Sequence, residues 1–265
     1  MGEERPIRQR EPLPTRVDGL PDLPDAYVGA LEPTLAALAA GGFAIDAQAR
    51  GVIDGHLRLL LAWNAAINLT AITDPAAMAR LHVADSLAAL PLIDGLRHRS
   101  ILDLGSGGGF PGIPLAACLP EARLTLTESV AKKAAFLDVV LTATGLGDRA
   151  VVVNARAEAL VPGPWDVVTA RAVGSLATLV ELALPLLAIG GHLLAWKRGE
   201  LAGELAAAGR AAAVLRGAEP AVVAHPEALA RAAGIEGHCI VMVRKAGPTP
   251  AGYPRDPAVR ARRPC

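Results

Sequence analysis

From Asp103 to Gly112 the chain reads Asp-Leu-Gly-Ser-Gly-Gly-Gly-Phe-Pro-Gly. A stretch so poor in side chains can bury almost nothing, so its value lies in its backbone. The apolar run Ser100-Ile101-Leu102 before it reads as a buried strand, and residues 113–119 after it read as an apolar helix. Strand, glycine turn and helix in that order bring bare backbone amides close to a ligand at the carboxyl end of a parallel sheet. The rest of the chain has to supply the sheet that such a junction requires.

Two ligands compete for the same glycines. Gly105, Gly107 and Gly109 give D-x-G-x-G-x-G with Asp103, the pattern of Rossmann-like methyltransferases that use S-adenosylmethionine (SAM). Gly107, Gly109 and Gly112 also satisfy G-x-G-x-x-G, the dinucleotide fingerprint, which is weak alone. Glu128, at the end of the next expected strand, suits a ribose in either case. Asp103, Pro111 and Pro114 at the helix start, and the lack of a second nucleotide-binding half favour SAM. The ammonium and sulfonium of SAM are cationic, unlike a pyrophosphate, and a nearby carboxylate suits them.

Strands are expected at 100–104, 123–127, 150–154, 165–170 and 191–196, with a final pair near 220–224 and 238–244. Helices are expected at about 112–119, 130–144, 175–188 and 200–214. This alternation predicts an α/β fold: a seven-stranded, mostly parallel sheet with helices on both faces and an antiparallel edge hairpin. Three helices precede it, from about Glu32 to Ala40, from the capping Asp46 to near Asn64, and from Asp74-Pro75 through His82 and Asp85 to about Leu90. The expected organisation is a disordered proline-rich leader (1–30), a helical extension (31–95), a SAM-binding core (96–246) and a basic flexible tail (247–265).

Lys and Arg together number 26, as do Asp and Glu, so no global field draws the chain to nucleic acid and any RNA contact must use local patches. Aromatic residues are only 3%, which disfavours a base-stacking single-strand binder. The three cysteines are far apart and show no metal or disulfide spacing, so a reducing cytoplasm is expected and no metal. The N-terminus lacks a signal-peptide core, and the apolar segment 176–190 is too short and too broken to span a bilayer.

A series of further motifs flanks the loop. Trp63-Asn64-Ala65-Ala66-Ile67-Asn68-Leu69-Thr70 and His82-Val83-Ala84-Asp85-Ser86 precede it. Thr127-Glu128-Ser129-Val130-Ala131-Lys132-Lys133, Asn154-Ala155-Arg156-Ala157-Glu158, Thr169-Ala170-Arg171-Ala172 and Trp196-Lys197-Arg198-Gly199 follow. In this order and spacing, from about residue 31 to the C-terminus, the chain closely resembles the RsmG (GidB) family of SAM-dependent methyltransferases. The resemblance implies methyl transfer to N7 of one guanine, position 527 in the 530 loop of bacterial 16S ribosomal RNA. The partner would be the small subunit or an assembly intermediate, with no obligate protein partner. A non-catalytic SAM- or RNA-binding assembly factor is the alternative, and a NAD-dependent oxidoreductase ranks last.

The resemblance also implies site residues. Gly105, Gly107 and Phe110 line the SAM site with Asp103, Glu128 lies near the ribose, and Ala157 and Glu158 lie against the adenine. Arg171 reaches the site, and Arg156 joins it as a candidate for substrate positioning. Lys197 and the tail arginines Arg255, Arg262 and Arg263 are the RNA-binding candidates. The tail departs from the family pattern at Ala258, where a glycine is common. His82 and Asp85, three apart on a helix, are a local pair on their own, and the resemblance places them at the border of the RNA pocket. Asn64 and Asn68 suit a structural role at a helix end.

Overall fold

A computed structural model describes residues 12–96, 99–161 and 163–262. Its centre is a seven-stranded sheet: β1 (Ser100–Leu104), β2 (Arg123–Thr127), β3 (Ala150–Val153), β4 (Trp165–Arg171), β5 (Leu187–Arg198), β6 (Ala221–Ala224) and β7 (His238–Arg244). The order is β3-β2-β1-β4-β5-β7-β6. The first five strands pair in parallel, while β7 runs antiparallel to both β5 and β6. This is the α/β sheet expected from the sequence, with the strand order reversing its progression between β1 and β4. Ligands of open α/β sheets bind at such a switch point, outside the carboxyl ends of the strands.

Successive strand residues bury into opposite layers, as the pleat requires. Ile101, Val167, Leu194 and Ile240 face one layer, which holds the helical extension with α6 (Gly112–Cys118) and α7 (Ala131–Ala143). Leu102, Val168, Leu193 and Val241 face the other, filled by α8 (Leu176–Ala183) and α9 (Ala202–Val214). Each inner strand is therefore apolar on both faces, which is why the strands read as continuous apolar runs.

The extension is built from α1 (Asp25–Ala40) and α2 (Ala47–Ile67), then a broken helix. Asp46 caps α2 by accepting from the Ala49 amide at 2.7 Å, and Asp74 caps α3 (Pro75–Met78) in the same way. A π-helical turn (Ala79–Ala84) follows, then α4 (Asp85–Leu87) and α5 (Leu90–Asp94). The stretch Pro75–Asp94 is long and apolar enough to cross a membrane by length and composition, yet it is mostly buried in this fold. It is a core helix.

Four expectations need correction. The leader packs from residue 12 on: Leu13, Val17, Leu20 and Leu23 lie against the core, and the Trp63 indole donates to the Pro14 carbonyl at 2.7 Å. Residues 1–11 lie outside the described residues. Helix α1 begins seven residues before Glu32, because Pro33 sits inside it rather than at its start. The helix expected over 175–188 ends at Ala183, and β5 begins at Leu187 just after Pro185, which cannot continue a helical ladder. Between β6 and β7, where an irregular link was expected, α10 (Glu227–Ala233) packs on α1.

The tail is also docked rather than flexible. Arg255 meets the carboxylate of Glu181, a residue only 1% exposed on α8, and a short helix α11 (Pro257–Arg262) follows. A carboxylate buried so deeply needs a cationic partner. Nothing near Glu181 in sequence reveals that the partner arrives 74 residues later.

Candidate active site

The glycine loop leaves β1 with Gly105, Gly107 and Gly109 all at positive φ. At Gly109 (φ +94°) an added Cβ would lie 2.5 Å from Ile113 Cδ1 and 2.8 Å from His56 Nε2, so the backbone is pressed against the helices beneath it. Gly107 (φ +55°) differs: the nearest atom to its Cβ position is 3.9 Å away. Among the loop glycines it alone faces open space, and there a ligand can approach the backbone.

Two carboxylates hold this loop. Asp103 is 1% exposed, with Oδ1 accepting from Thr169 Oγ1 at 2.8 Å and Oδ2 from the Gly112 amide at 3.3 Å. Burial pushes its pKa up, against those hydrogen bonds. It therefore clamps the base of the loop from within, whereas the sequence suggested a direct partner for a cationic ligand. Glu128 accepts from the Gly107 amide at 3.0 Å through one oxygen and from the Val130 amide at 2.7 Å through the other. Its carboxylate thus sits beside the open glycine, at the end of β2.

Phe110 is 5% exposed and lies between two imidazoles, with ring centres 4.6 Å from both His56 and His82. His56 donates Nε2–H to the Gly108 carbonyl at 2.7 Å, leaving Nδ1 a buried acceptor without a partner. Burial lowers its pKa to about 4. His82 is lowered to about 3 by burial, then by the Arg171 charge. Both rings are neutral, and His82 accepts at Nδ1 from Arg171 at 3.1 Å while Nε2 faces Thr70 Oγ1 at 2.8 Å.

Arg171 ends β4 and points at the broken helix. It donates to the Leu81 carbonyl at 2.8 Å and to Asp85 Oδ2 at 3.3 Å. The other Asp85 oxygen meets His238 Nδ1 at 2.9 Å, and the Trp196 indole donates to the Asp85 carbonyl at 3.0 Å. Asn64 anchors the far end by bonding both the amide and the carbonyl of Thr70. An unbroken polar chain results: Asn64, Thr70, His82, Arg171, Asp85, His238. Its members His82, Arg171, Asp85 and His238 line a cleft of about 450 Å³ together with Trp196 and Lys197, at the carboxyl ends of β4 and β5. A second cavity of about 310 Å³ lies at the opposite end of the strands, around Cys118, Leu119 and Arg149, far from these groups.

The expected site residues therefore divide. Gly105, Gly107, Phe110 and Glu128 meet at the loop, and Arg171 and Lys197 line the adjoining cleft. Ala157 and Glu158 form a 3₁₀ turn after β3, and Asn154, just past the end of that strand, donates Nδ2 to the Glu128 carbonyl at 2.7 Å. Arg156 precedes that turn, is exposed, and does not line the cleft. Lys197 is paired with Glu204 at 2.5 Å. Arg255, expected at RNA, is instead spent on Glu181; Arg262 is exposed, and Arg263 lies outside the described residues. Sequence reading missed His56 and His238. His56 falls among the apolar positions Ile53, Leu57 and Leu60 of α2, the one signal that it is buried.

The family model GidB, rRNA small subunit methyltransferase G, matches residues 52–231. The ribosomal RNA small subunit methyltransferase G of Roseiflexus sp. (strain RS-1) is 44% identical over 214 residues, covering 77% of this chain and 87% of its own. That of Sorangium cellulosum (strain So ce56) is 42% identical over 223 residues, covering 82% and 88%. That of Geobacillus thermodenitrificans (strain NG80-2) is 36% identical over 228 residues, covering 84% and 94%. The matched region runs from the helix carrying His56 through the loop and cleft to α10, and on that extent and identity the chain belongs to the rRNA small subunit methyltransferase G family.

Proposed function

We propose that this protein transfers a methyl group from SAM to N7 of a single guanine in the 530 loop of 16S ribosomal RNA, acting in the cytoplasm on the small subunit or an assembly intermediate. The observation that carries the reading is the junction of two spaces at Phe110: the open backbone at Gly107 with Glu128 on one side, and the Arg171 cleft on the other. The residues fit the cofactor. Gly107 leaves room for it, Glu128 offers acceptor lone pairs to ribose hydroxyls, and the 157–158 turn lies next along the same strand ends.

Bound SAM would supply an electrophilic methyl group on a cationic sulfur. The chain's own task is orientation. Guanine N7 carries a free lone pair at neutral pH, so no residue needs to remove a proton. Positioning of the base is then the main source of acceleration. Arg171 is suited to that role because its guanidinium is fixed by three acceptors and cannot swing. Guanine O6 or a phosphate is the partner it would take, since a bond to N7 would block the nucleophile. Lys197 borders the same cleft and brings a further donor to the base or its phosphate.

The test is transfer of labelled methyl from SAM to small subunits lacking the modification, mapped by chemical cleavage at 7-methylguanosine. A single labelled guanine in the 530 loop is expected. Binding of SAM without transfer to subunits or RNA would overturn the catalytic reading.

A further inference from the structure

The docked tail reaches the site. Glu181 on α8 accepts from the Arg255 amide at 2.9 Å, from its Nε at 2.9 Å and from its guanidinium at 2.5 Å. Arg255 also lies 5.5 Å from the Tyr253 ring centre, and Tyr253 packs on the same apolar cluster as Ala157 and Leu160. One turn on, Arg260 donates to the Arg255 carbonyl at 3.2 Å and forms an ion pair with Glu158. Both partners are largely covered, at 12% and 20% exposure of their side chains. The tail is thus pinned at one buried carboxylate and closes onto a second, in the turn after β3, the strand that pairs with the one ending at Glu128.

We propose that residues 253–262 form a strap over the adenine end of the cofactor site, in which Arg260 is a positioning residue that holds the Glu158 carboxylate ready for the amino group of a purine. This rests on the SAM reading above. The logic is geometric. Glu158 sits in a three-residue turn with no fully buried side chain, held to the core by the half-buried Ala157 alone of its three residues. Arg260 adds a second anchor from outside while occupying only part of a carboxylate that has about four acceptor sites. The strap adds no group to the reaction; it limits escape of the nucleoside.

Dissociation of S-adenosylhomocysteine from the full-length protein, followed by stopped flow and calorimetry, tests this. Arg260→Ala is expected to release the ligand about tenfold faster, a 1.4 kcal/mol change. Glu158→Gln should do likewise, and the double variant should lose no more than either single variant. Glu181→Gln, which loosens the pin, should move the rate in the same direction, and Arg260→Lys should restore part of it. Hydrogen exchange across 253–262 should slow when the ligand is added. An unchanged release rate in Arg260→Ala, or losses that add in the double variant, would overturn the strap and leave the cofactor reading intact. Failure of the wild-type protein to bind the ligand would overturn both.

Discussion

The Arg171 guanidinium carbon lies 5.3 Å from the centre of the Phe110 ring. That contact joins the last residue of β4 to the glycine loop after β1, so the cofactor side and the cleft side of the site share a wall. A cation over an aromatic face is attracted by the ring quadrupole. Here the ring is itself clasped by two neutral imidazoles, so the wall is stiff.

Removing the fixed cation should uncouple cofactor binding from turnover. Arg171→Ala is expected to lower turnover on small subunits by roughly a hundredfold, the effect of losing base orientation. Affinity for S-adenosylhomocysteine should stay within about threefold, since Arg171 meets the loop through the Phe110 ring and a longer-range attraction to Asp103. Steady-state kinetics beside a calorimetric titration separate the two, and an unchanged turnover number would remove Arg171 from the mechanism.

Asp85→Asn should destabilise the fold. It weakens the partner of both Arg171 and His238 at a site 3% exposed, and breaking a buried pair of this kind costs roughly 3 kcal/mol. Urea unfolding reads this directly. A midpoint equal to that of the wild type would mean that solvent already satisfies the carboxylate.

The two loop glycines should respond differently to alanine. At Gly109 the added methyl meets Ile113 and His56, and overpacking plus left-handed strain should cost about 3 kcal/mol. At Gly107 only the backbone term applies, about 1 kcal/mol, while the methyl enters the open face. Gly107→Ala should therefore lose SAM affinity with a nearly normal unfolding midpoint, and Gly109→Ala should lose the midpoint first.

Stability should fall on acidification below about pH 6.5, the ordinary histidine range. His56 and His82 are held neutral in the fold, at about 4 and about 3, so the unfolded chain binds protons that the folded chain refuses. Their contribution is fully present above the unfolded pKa and is lost as pH drops toward 4. Each histidine adds a slope of up to about 1.4 kcal/mol per pH unit in that window. Urea titrations from pH 7 to 5 should show it, and His56→Phe should flatten the slope. An equal slope in that variant would assign the effect elsewhere.

Much of this architecture could be read in advance because it rests on local chemistry. Glycine spacing after an apolar strand, Asp46 and Asp74 as caps, and alternating burial at Ile101-Leu102 or Val167-Val168 are properties of neighbouring residues. What escaped reading depends on distant partners. Arg255 looked like a free basic residue because Glu181 is 74 positions away, and His238 looked like an ordinary strand residue because Asp85 is 153 positions away. Asp103 was read for its charge, yet its surroundings turn that charge inward to Thr169 and Gly112. Charge type is visible in a sequence; the direction it faces is a property of the fold.

The π-helical turn at Ala79–Ala84 sets one more rule for this family member. Its wider winding places the Leu81 carbonyl and the His82 ring toward Arg171 while Asp85 still meets the same guanidinium. Such turns concentrate at functional sites. Deleting one residue there would turn everything before it by about 100° relative to Asp85. The residue count of this stretch is therefore as much a part of the site as the side chains of His82 and Asp85.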